Sequence, residues 1–264
     1  MQNEIEDYYR QGGETRRLDA GAGRWEFLRT WDLLQRTLPA APLAILDVGG
    51  ATGVYAGPLA AQGHRVHLID PMPEHVAAAA ALPGVTAAVG DARALAEPDA
   101  AYDAVLLFGP LYHLVARGDR IAAWREAARA VRPGGLVVAA TISRFASLLD
   151  GYVRGYLAHE VFARMLDHTL ATGEHRNLGD DRHWFTTAYF HRPDEPPGEA
   201  AEAGLDFVRS AAVEGPLWML PALDEVLADP ARTEQALRLL RQVEGEPHLW
   251  GASSHLLTVA RRPA

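Results

Sequence analysis

From residue 44 onward, short apolar runs alternate with longer stretches whose apolar positions recur every three or four residues. The short runs predict strands and the longer stretches predict helices. Strand one is Ala44–Val48, followed by a helix from Val54 to Gln62 that Gly63 stops. Strand two is Arg65–Asp70. Pro71-Met72-Pro73 opens a helix running to Leu82, and Pro83-Gly84 ends it. Strand three is Val85–Val89. Strand four, Tyr102–Phe108, holds five apolar residues between Asp103 and Gly109, the pattern of a strand buried on both faces. A helix over about 120–131 ends at Arg132-Pro133-Gly134-Gly135, and Leu136–Ile142 is strand five. Strands alternating with helices predict a parallel sheet with crossover helices.

The flanks read differently. Trp25, Leu28, Trp31, Leu34 and Leu38 recur at helical steps, so one amphipathic helix precedes the sheet, closed by Pro39 and Pro42. After strand five, residues 144–195 hold Leu148-Leu149, Val161-Phe162 and Met165-Leu166 at helical spacing, then a polar, His-rich stretch punctuated by Pro193 and Pro197. This predicts a helical lid inserted after strand five. A helix near 198–203, a strand at 205–213, helices near 221–228 and 231–243, and a last strand at His255–Ala260 complete the chain. The tail suits an antiparallel edge hairpin. The expected fold class is α/β, a Rossmann-like seven-stranded mostly parallel sheet with helices on both faces. Residues 1–43 form an N-terminal helical cap, 44–143 and 196–264 the core, and 144–195 the lid, all within one compact unit.

Composition narrows the chemistry. The 264 residues contain no cysteine, which removes disulfides, thiolate metal sites and cysteine nucleophiles. The formal net charge is −9, which disfavours a nucleic-acid partner, since phosphate-binding surfaces need clustered cations. No apolar run is long enough to span a bilayer. The first residues, Met-Gln-Asn-Glu-Ile-Glu-Asp, are acidic and polar, unlike a secretory leader. The expectation is a cytoplasmic protein, monomer or homodimer, with a small molecule as its partner and no membrane or nucleic-acid contact.

The turn between strand one and its helix, Gly49-Gly50-Ala51-Thr52-Gly53, points free N–H groups above the sheet, where open α/β sheets bind ligands. The dinucleotide template Gly-x-Gly-x-x-Gly fails, because Ala51 and Val54 stand where glycines belong. No Gly-Lys-Ser/Thr follows, so a nucleoside triphosphate does not fit. Asp47, two residues before the first glycine, suits a positively charged ligand group such as an α-amino group or a sulfonium.

With these residues in view, the chain resembles the class I S-adenosylmethionine-dependent methyltransferases. Leu46-Asp-Val-Gly-Gly-Ala-Thr-Gly53 is similar to the family's first motif, Asp-x-Gly-x-Gly-x-Gly, with Ala51 for the middle glycine. The resemblance implies S-adenosylmethionine as methyl donor, S-adenosylhomocysteine as product, and no metal. It implies that Asp47, Gly49, Gly50, Ala51 and Gly53 cradle the donor, that Asp70 accepts both ribose hydroxyls, and that Pro71 and Met72 pack on adenine. In Gly90-Asp91-Ala92, Asp91 takes the adenine amino group and the N–H of Ala92 a ring nitrogen. Phe108 borders the cofactor at the end of strand four. Arg132-Pro133-Gly134-Gly135 is similar to the family's turn into strand five.

The resemblance continues outside the core. Tyr8-Tyr9, Glu14-x-x-Arg17-Leu18, Glu26-x-x-Arg29-Thr30 and Phe108-Gly-Pro-Leu-Tyr-His-Leu114 are similar to a bacterial subgroup of small-molecule methyltransferases. So are Thr187-Ala-Tyr-Phe-His-Arg-Pro193, Glu214-Gly-Pro216 and Gly251-Ala-Ser-Ser-His-Leu-Leu257. Tyr9 is a candidate to fold over the cofactor, or else to pack. Arg17 or Arg29 would hold the cofactor carboxylate as a bidentate partner, the alternative for Arg29 being an ion pair with Glu26.

The acceptor is approached by exclusion. Strand four ends in Phe108-Gly109-Pro110-Leu111, not in the Asn/Asp-Pro-Pro-Tyr of amino-methylating DNA enzymes. Cytosine-C5 and arsenite methyltransferases need cysteines. Metal-dependent catechol-type enzymes need an acid near the end of strand four, whereas Asp103 stands at its start. The His-rich lid matches no metal-ligand spacing. What remains is methyl transfer to an O or N atom of a small metabolite, with natural-product biosynthesis as one setting. Holding nucleophile and methyl in line supplies much of the rate, and a base serves only where the acceptor loses a proton. His113 and His191 are the candidate bases, with His175 and His183 behind them. Tyr8, Tyr112, His175, Trp184, Phe185 and Tyr189 are candidate acceptor contacts, each of the aromatic residues having core packing as its alternative. Methylation of an activated carbon, a cofactor-binding regulatory subunit without catalysis, and a nicotinamide oxidoreductase are the competing readings.

Overall fold

The computed structural model describes residue 5 and residues 18–40, 42–179 and 181–264. Tyr8, Tyr9, Glu14 and Arg17 lie outside the described residues. In chain order the elements are α1 (Gly21–Thr37), β1 (Ala44–Val48), α2 (Ala56–Ala61), β2 (Arg65–Asp70), α3 (Pro73–Ala80), β3 (Val85–Val89), β4 (Tyr102–Leu107), α4 (Pro110–His113), α5 (Arg117–Ala130) and β5 (Val131–Ile142). Then come α6 (Ala146–Arg154), α7 (Glu160–Thr172), β6 (Glu174–His175), β7 (Ala188–Tyr189), α8 (Glu195–Glu202), β8 (Asp206–Ala212), α9 (Leu223–Ala228), α10 (Pro230–Leu240), α11 (Pro247–Trp250) and β9 (His255–Arg261). No helix among the described residues is long and apolar enough to cross a membrane.

Seven strands form one sheet in the order β3-β2-β1-β4-β5-β9-β8. β1 runs parallel to β2 and β4, β2 to β3, and β4 to β5. Val48 pairs with both Ile69 and Leu107, so the carboxyl ends of the three central strands finish level. β9 runs the other way: Gly134 N donates to Arg262 O at 2.9 Å near the start of β5, and Ser143 N donates to Ser254 O at 2.8 Å past its end. The expected antiparallel tail is therefore present. β5 starts at Val131 rather than at Leu136, so the Pro-Gly-Gly turn lies inside the strand, with a register shift between Tyr102 and Ala104.

The chain divides into two compact units where the sequence suggested one. The first comprises Gln35–Thr141, Glu195–Arg209 and Thr258–Ala264. Its core is built from Leu46, Val48, Val105, Leu107, Val137 and Ala139 of the strands, packed with Trp124, Ala123 and Ala127 of α5 and with Ala200 and Leu205. A buried ion pair, Arg120 Nε to Glu199 Oε1 at 2.8 Å, joins α5 to α8.

The second unit comprises Met1–Leu34, Ile142–Asp194 and Ser210–Leu257. Residues 210–257 thus belong with the cap and lid, although the sequence reading placed them in the core. The reason is apolar burial: Trp25 of α1 is fully buried and clusters with Trp218, Leu223, Leu227 and Leu240. α1 turns Trp25, Arg29, Thr30, Leu33 and Leu34 inward. This face is offset from the predicted Leu28/Trp31 stripe, because Arg29 finds buried partners. In the lid, Phe162, Met165, Leu166 and Trp184 form a small core of their own.

Candidate functional site

The site begins at the turn after β1. Gly49 takes φ +76° and Gly53 φ +88°, both in the left-handed region that favours glycine. Ala51 also sits there, at φ 48°, so the residue that replaces the family's middle glycine keeps the glycine conformation. Gly49 N donates to Ile69 O at 2.7 Å, which fastens the turn to the end of β2. Beneath the turn, the Asp47 side chain is wholly buried, and neither carboxyl oxygen has a hydrogen-bond partner among the described residues. Burial first, and the negative charge of Asp70 second, push its carboxyl up to about 7.

Asp70, at the end of β2, is 5% exposed. Its Oδ2 accepts from Ala51 N at 3.0 Å, and its Oδ1 accepts from Met72 N at 3.0 Å and pairs with His75 Nδ1 at 3.1 Å. A carboxylate offers about four acceptor positions, so Oδ2 retains capacity for a hydroxyl. His75 was not singled out in the sequence; its signal is a histidine one turn into the helix that follows the strand-two acid.

The adenine side differs from what the resemblance implies. The guanidinium of Arg93 grips the Asp91 carboxylate through Nε (3.0 and 3.1 Å) and Nη2 (2.6 Å). Those bonds hold the Asp91 carboxyl below its ordinary range. An adenine amino group would have to share Asp91 with Arg93. Met72 is buried, with Pro71 exposed beside it, and Ala92 is half-buried.

Past β4, Gly109 lies against Gly49, a Cβ there coming 3.1 Å from Gly49 O, so the two strand-end turns touch. Phe108 is nearly buried and meets Tyr55 edge-on at 5.3 Å. Tyr112 and His113 end the one-turn α4, both half-buried, their rings 4.8 Å apart. The structure thus brings Asp47, the glycine turn, Asp70, Met72, Phe108, Tyr112 and His113 into one unit.

The remaining predicted residues belong to the other unit. Arg29 is fully buried, and its guanidinium donates to Val213 O at 2.9 Å, Asp32 Oδ2 at 2.8 Å and Glu244 Oε2 at 2.8 Å. This corrects both expectations for Arg29: it serves an internal ion pair, and the partners are Asp32 and Glu244 in place of Glu26. His175 is also fully buried, with Nε2 on Trp184 O at 2.6 Å and its ring stacked on Phe190 at 4.6 Å. Burial lowers it to about 4, so it is a neutral packing residue of the lid and not an acceptor contact. Trp184 is 9% exposed within the lid core. Tyr189 receives a bond from Arg144 Nη2 at 3.2 Å. His191 is buried; its backbone bonds Ile142 O and Arg144 N, both at 2.7 Å, and its ring meets Tyr189 edge-on at 4.8 Å. His183 pairs with Asp181 at an exposed turn. Asp103 accepts from Ala44 N and Arg132 at the start of β4, the edge opposite the turn.

A mostly parallel sheet with a glycine turn over one acid and a second acid closing β2 is the arrangement that the resemblance to methyltransferases led one to expect. Residues 45–135 match the methyltransferase domain family. The chain is 35% identical over 134 residues to a ubiquinone biosynthesis O-methyltransferase of Methylobacterium nodulans, covering 47% of this chain and 53% of that one. It is 39% identical over 99 residues to an uncharacterised methyltransferase of Mycobacterium bovis, covering 37% of this chain and 39% of that one. The chain thus spans about half the length, or less, of these curated relatives. Its fold is similar to a possible histamine N-methyltransferase of Thermotoga maritima (TM-score 0.60, 16% identity, 99% and 100% covered). It is also similar to a methyltransferase of Methanosarcina mazei (TM-score 0.60, 15% identity, 88% and 97% covered). Residues 45–135 thus match a methyltransferase domain, within a fold similar to that of S-adenosylmethionine-dependent methyltransferases.

Proposed function

We propose that this chain transfers a methyl group from S-adenosylmethionine to an oxygen or nitrogen atom of a small metabolite. The observation that carries the reading is the acid pair at the turn. Asp47 is buried without a hydrogen-bond partner among the described residues, and burial first and Asp70 second raise its proton affinity. A cationic amino or sulfonium group over the turn relieves that repulsion, whereas a pyrophosphate would add to it. The residues present therefore fit the donor.

The turn amides of residues 49–53 and the Asp70 carboxylate would hold the nucleoside, with Met72 and Phe108 as its apolar border. When bound, S-adenosylmethionine supplies a methyl group on a positively charged sulfur, which already leaves well. The protein's share is to align the acceptor with that methyl and to exclude water. Tyr112 and His113, at the carboxyl end of β4, would border the acceptor in this reading. No metal enters this reading.

Calorimetric titration with S-adenosylhomocysteine tests the donor assignment. Wild-type protein should bind it, and Asp70→Ala should weaken binding at least about tenfold, since a carboxylate–hydroxyl bond contributes about 1.5–3 kcal/mol. No binding by wild type, or undiminished binding by the variant, would sink the assignment. A labelled-methyl assay over phenols, alcohols and amines, with NMR of the product, tests the acceptor atom. Methylation at carbon alone would overturn the O/N half.

A further inference from the structure

The strand order leaves one place for the base of the nucleoside. With the cationic end of the cofactor over the turn after β1 and its sugar at Asp70, the order β3-β2-β1 leaves the end of β3, about 4.8 Å beyond the sugar acid, for the base. Asp70 pairs with Val89 of β3, and Gly90 N donates to Asp70 O at 3.2 Å, so the two strand ends are fastened side by side. Asp91 and Arg93 follow at once, all within the first unit. Arg93 N donates to Asp91 Oδ1 at 2.9 Å, and Ala94 N to Asp91 O at 3.0 Å, which closes the turn on itself. The guanidinium is held at its other end as well: Arg93 Nη1 donates to Asp119 Oδ2, in the first turn of α5, at 3.0 Å.

An ionised carboxylate offers about four acceptor positions, and a guanidinium five N–H groups. Asp91 commits its oxygens to Arg93 N, Nε and Nη2, so about one acceptor position is left for a ligand. Among the described residues, Arg93 commits Nε and one N–H on each Nη, so about two N–H groups are left. A lone exposed ion pair holds its partners weakly, but a fork on one acid with a second acid behind it is the geometry that holds. The side chains of Arg93 and Asp91 are 35% and 44% exposed, so a ligand reaches them without unpacking the core.

This mixed edge suits two kinds of purine. A 6-amino purine donates from its amino group and accepts at its ring nitrogens. A 6-oxo purine accepts at that same exocyclic position. A bare carboxylate serves the first and repels the second, because two acceptors would face each other, and a site built that way rejects the analogue strongly. A carboxylate with guanidinium N–H groups beside it can serve both. A second pair of the same composition, Asp103 with Arg132, stands at the opposite edge of the sheet and bears on no ligand.

We propose that Arg93 sets the base specificity of the cofactor site: by gripping Asp91 and adding its own N–H groups, it lets the site take 6-oxo purine nucleosides as well as 6-amino ones. This rests on the methyltransferase reading above. Asp91 alone would discriminate between the two bases, and Arg93 removes most of that discrimination. Asp119, through its bond to Nη1, keeps the guanidinium on Asp91.

The test is calorimetric titration of the full chain with S-adenosylhomocysteine and with S-inosylhomocysteine, its 6-oxo counterpart. Wild type should bind the two within about tenfold of each other. Arg93→Met keeps the aliphatic stem, removes the N–H groups and releases Asp91. It should widen the ratio to about a hundredfold or more, mainly by weakening S-inosylhomocysteine, the effect of setting a charged acceptor against an acceptor. Adding Asp91→Asn, whose amide both donates and accepts, should bring the ratio back within about tenfold, a rescue that a merely structural role for Arg93 would not give. Arg93→Ala takes the place of Arg93→Met if thermal melting shows the latter unfolded. Wild type that binds S-adenosylhomocysteine but prefers it by more than about tenfold overturns the proposal. So does a ratio that the Arg93 variants leave unchanged, or one that Asp91→Asn fails to restore. Wild type that binds neither ligand instead overturns the reading beneath it.

Discussion

Asp47 and Gly50 pack so closely that a Cβ on residue 50 would stand 2.6 Å from the Asp47 carboxyl carbon and 2.6 Å from a Leu68 methyl. Neither neighbour is the loose end of a flexible chain, since both lie on fully buried strand positions. Gly50→Ala should therefore lift the turn and destabilise the fold by about 1–3 kcal/mol. Thermal melting gives the stability loss. Calorimetry should show S-adenosylhomocysteine affinity reduced more than tenfold, of the order expected when about 1.4 kcal/mol or more of binding is lost.

The Asp47 carboxyl makes stability fall with rising pH. Its ordinary value is 3.8 and its folded value about 7. Between the two, the folded protein holds a proton that the unfolded chain has released, so the folded state loses ground as pH climbs through that window. The effect is at most about 4 kcal/mol, three pH units at 1.36 kcal/mol each. Hydrogen exchange of the β1 amides at pH 5 and pH 8 should show the drop, and Asp47→Asn should flatten it. A cationic ligand favours the ionised form, so binding near pH 6.5 should release protons, measurable by calorimetry in buffers of different ionisation enthalpy.

His175 slopes the opposite way. Its ordinary value is 6.5 and its folded value about 4. The unfolded chain takes up a proton that the folded lid refuses, so lid stability is complete above about pH 6.5 and decays as pH falls toward 4, by at most about 3 kcal/mol. Protection of the α7 amides, relative to their intrinsic exchange rate, should fall on acidification while that of the β1 amides rises. Equal behaviour of the two segments would refute the assignment.

Arg29 and Glu244 form a buried pair, and removing one partner strands the other. Arg29→Met should cost about 3–5 kcal/mol, and adding Glu244→Gln should recover part of it. A urea melt of the single and double variants measures this. Cofactor affinity of the folded fraction should be unaltered in both.

Ala51 occupies left-handed backbone at φ 48°. Ala51→Gly should stabilise the protein by about 0.5–1 kcal/mol, the relief of the Cβ strain less the added freedom of the unfolded chain. Thermal melting with and without S-adenosylhomocysteine checks it.

Why some of this was readable and some not comes down to sequence separation. β1 to β4 lie where the alternating pattern put them; β1 and most of β4 are buried on both faces, and such strands must be continuously apolar. Ala51 could be recognised as a glycine substitute because its two flanking glycines mark the turn. The hold of Arg93 on Asp91 was also within sight, two residues away. Arg29 was misjudged because a lone arginine on an apolar stripe gives no local sign of a carboxylate 215 residues further on. The same distance effect put residues 210–257 with the wrong unit. Glu214 and His255 were visible as motif fragments, but only the pairing of β9 against the end of β5 and the turn after β8 brings them together.

The reach of α1 has a consequence for how the chain is made. Trp25 bonds a carbonyl 189 residues later, and Arg29 a carboxylate 215 residues later. On a ribosome adding about 5–20 residues per second, α1 waits roughly ten seconds or more for those partners to be synthesised. The segment from β1 to β5 is contiguous and can complete its parallel pairing meanwhile. The growing chain therefore exposes Trp25, with Arg29 beside it held by Asp32 alone, until residues 214–244 emerge. In that interval a holding chaperone would find its footing on α1.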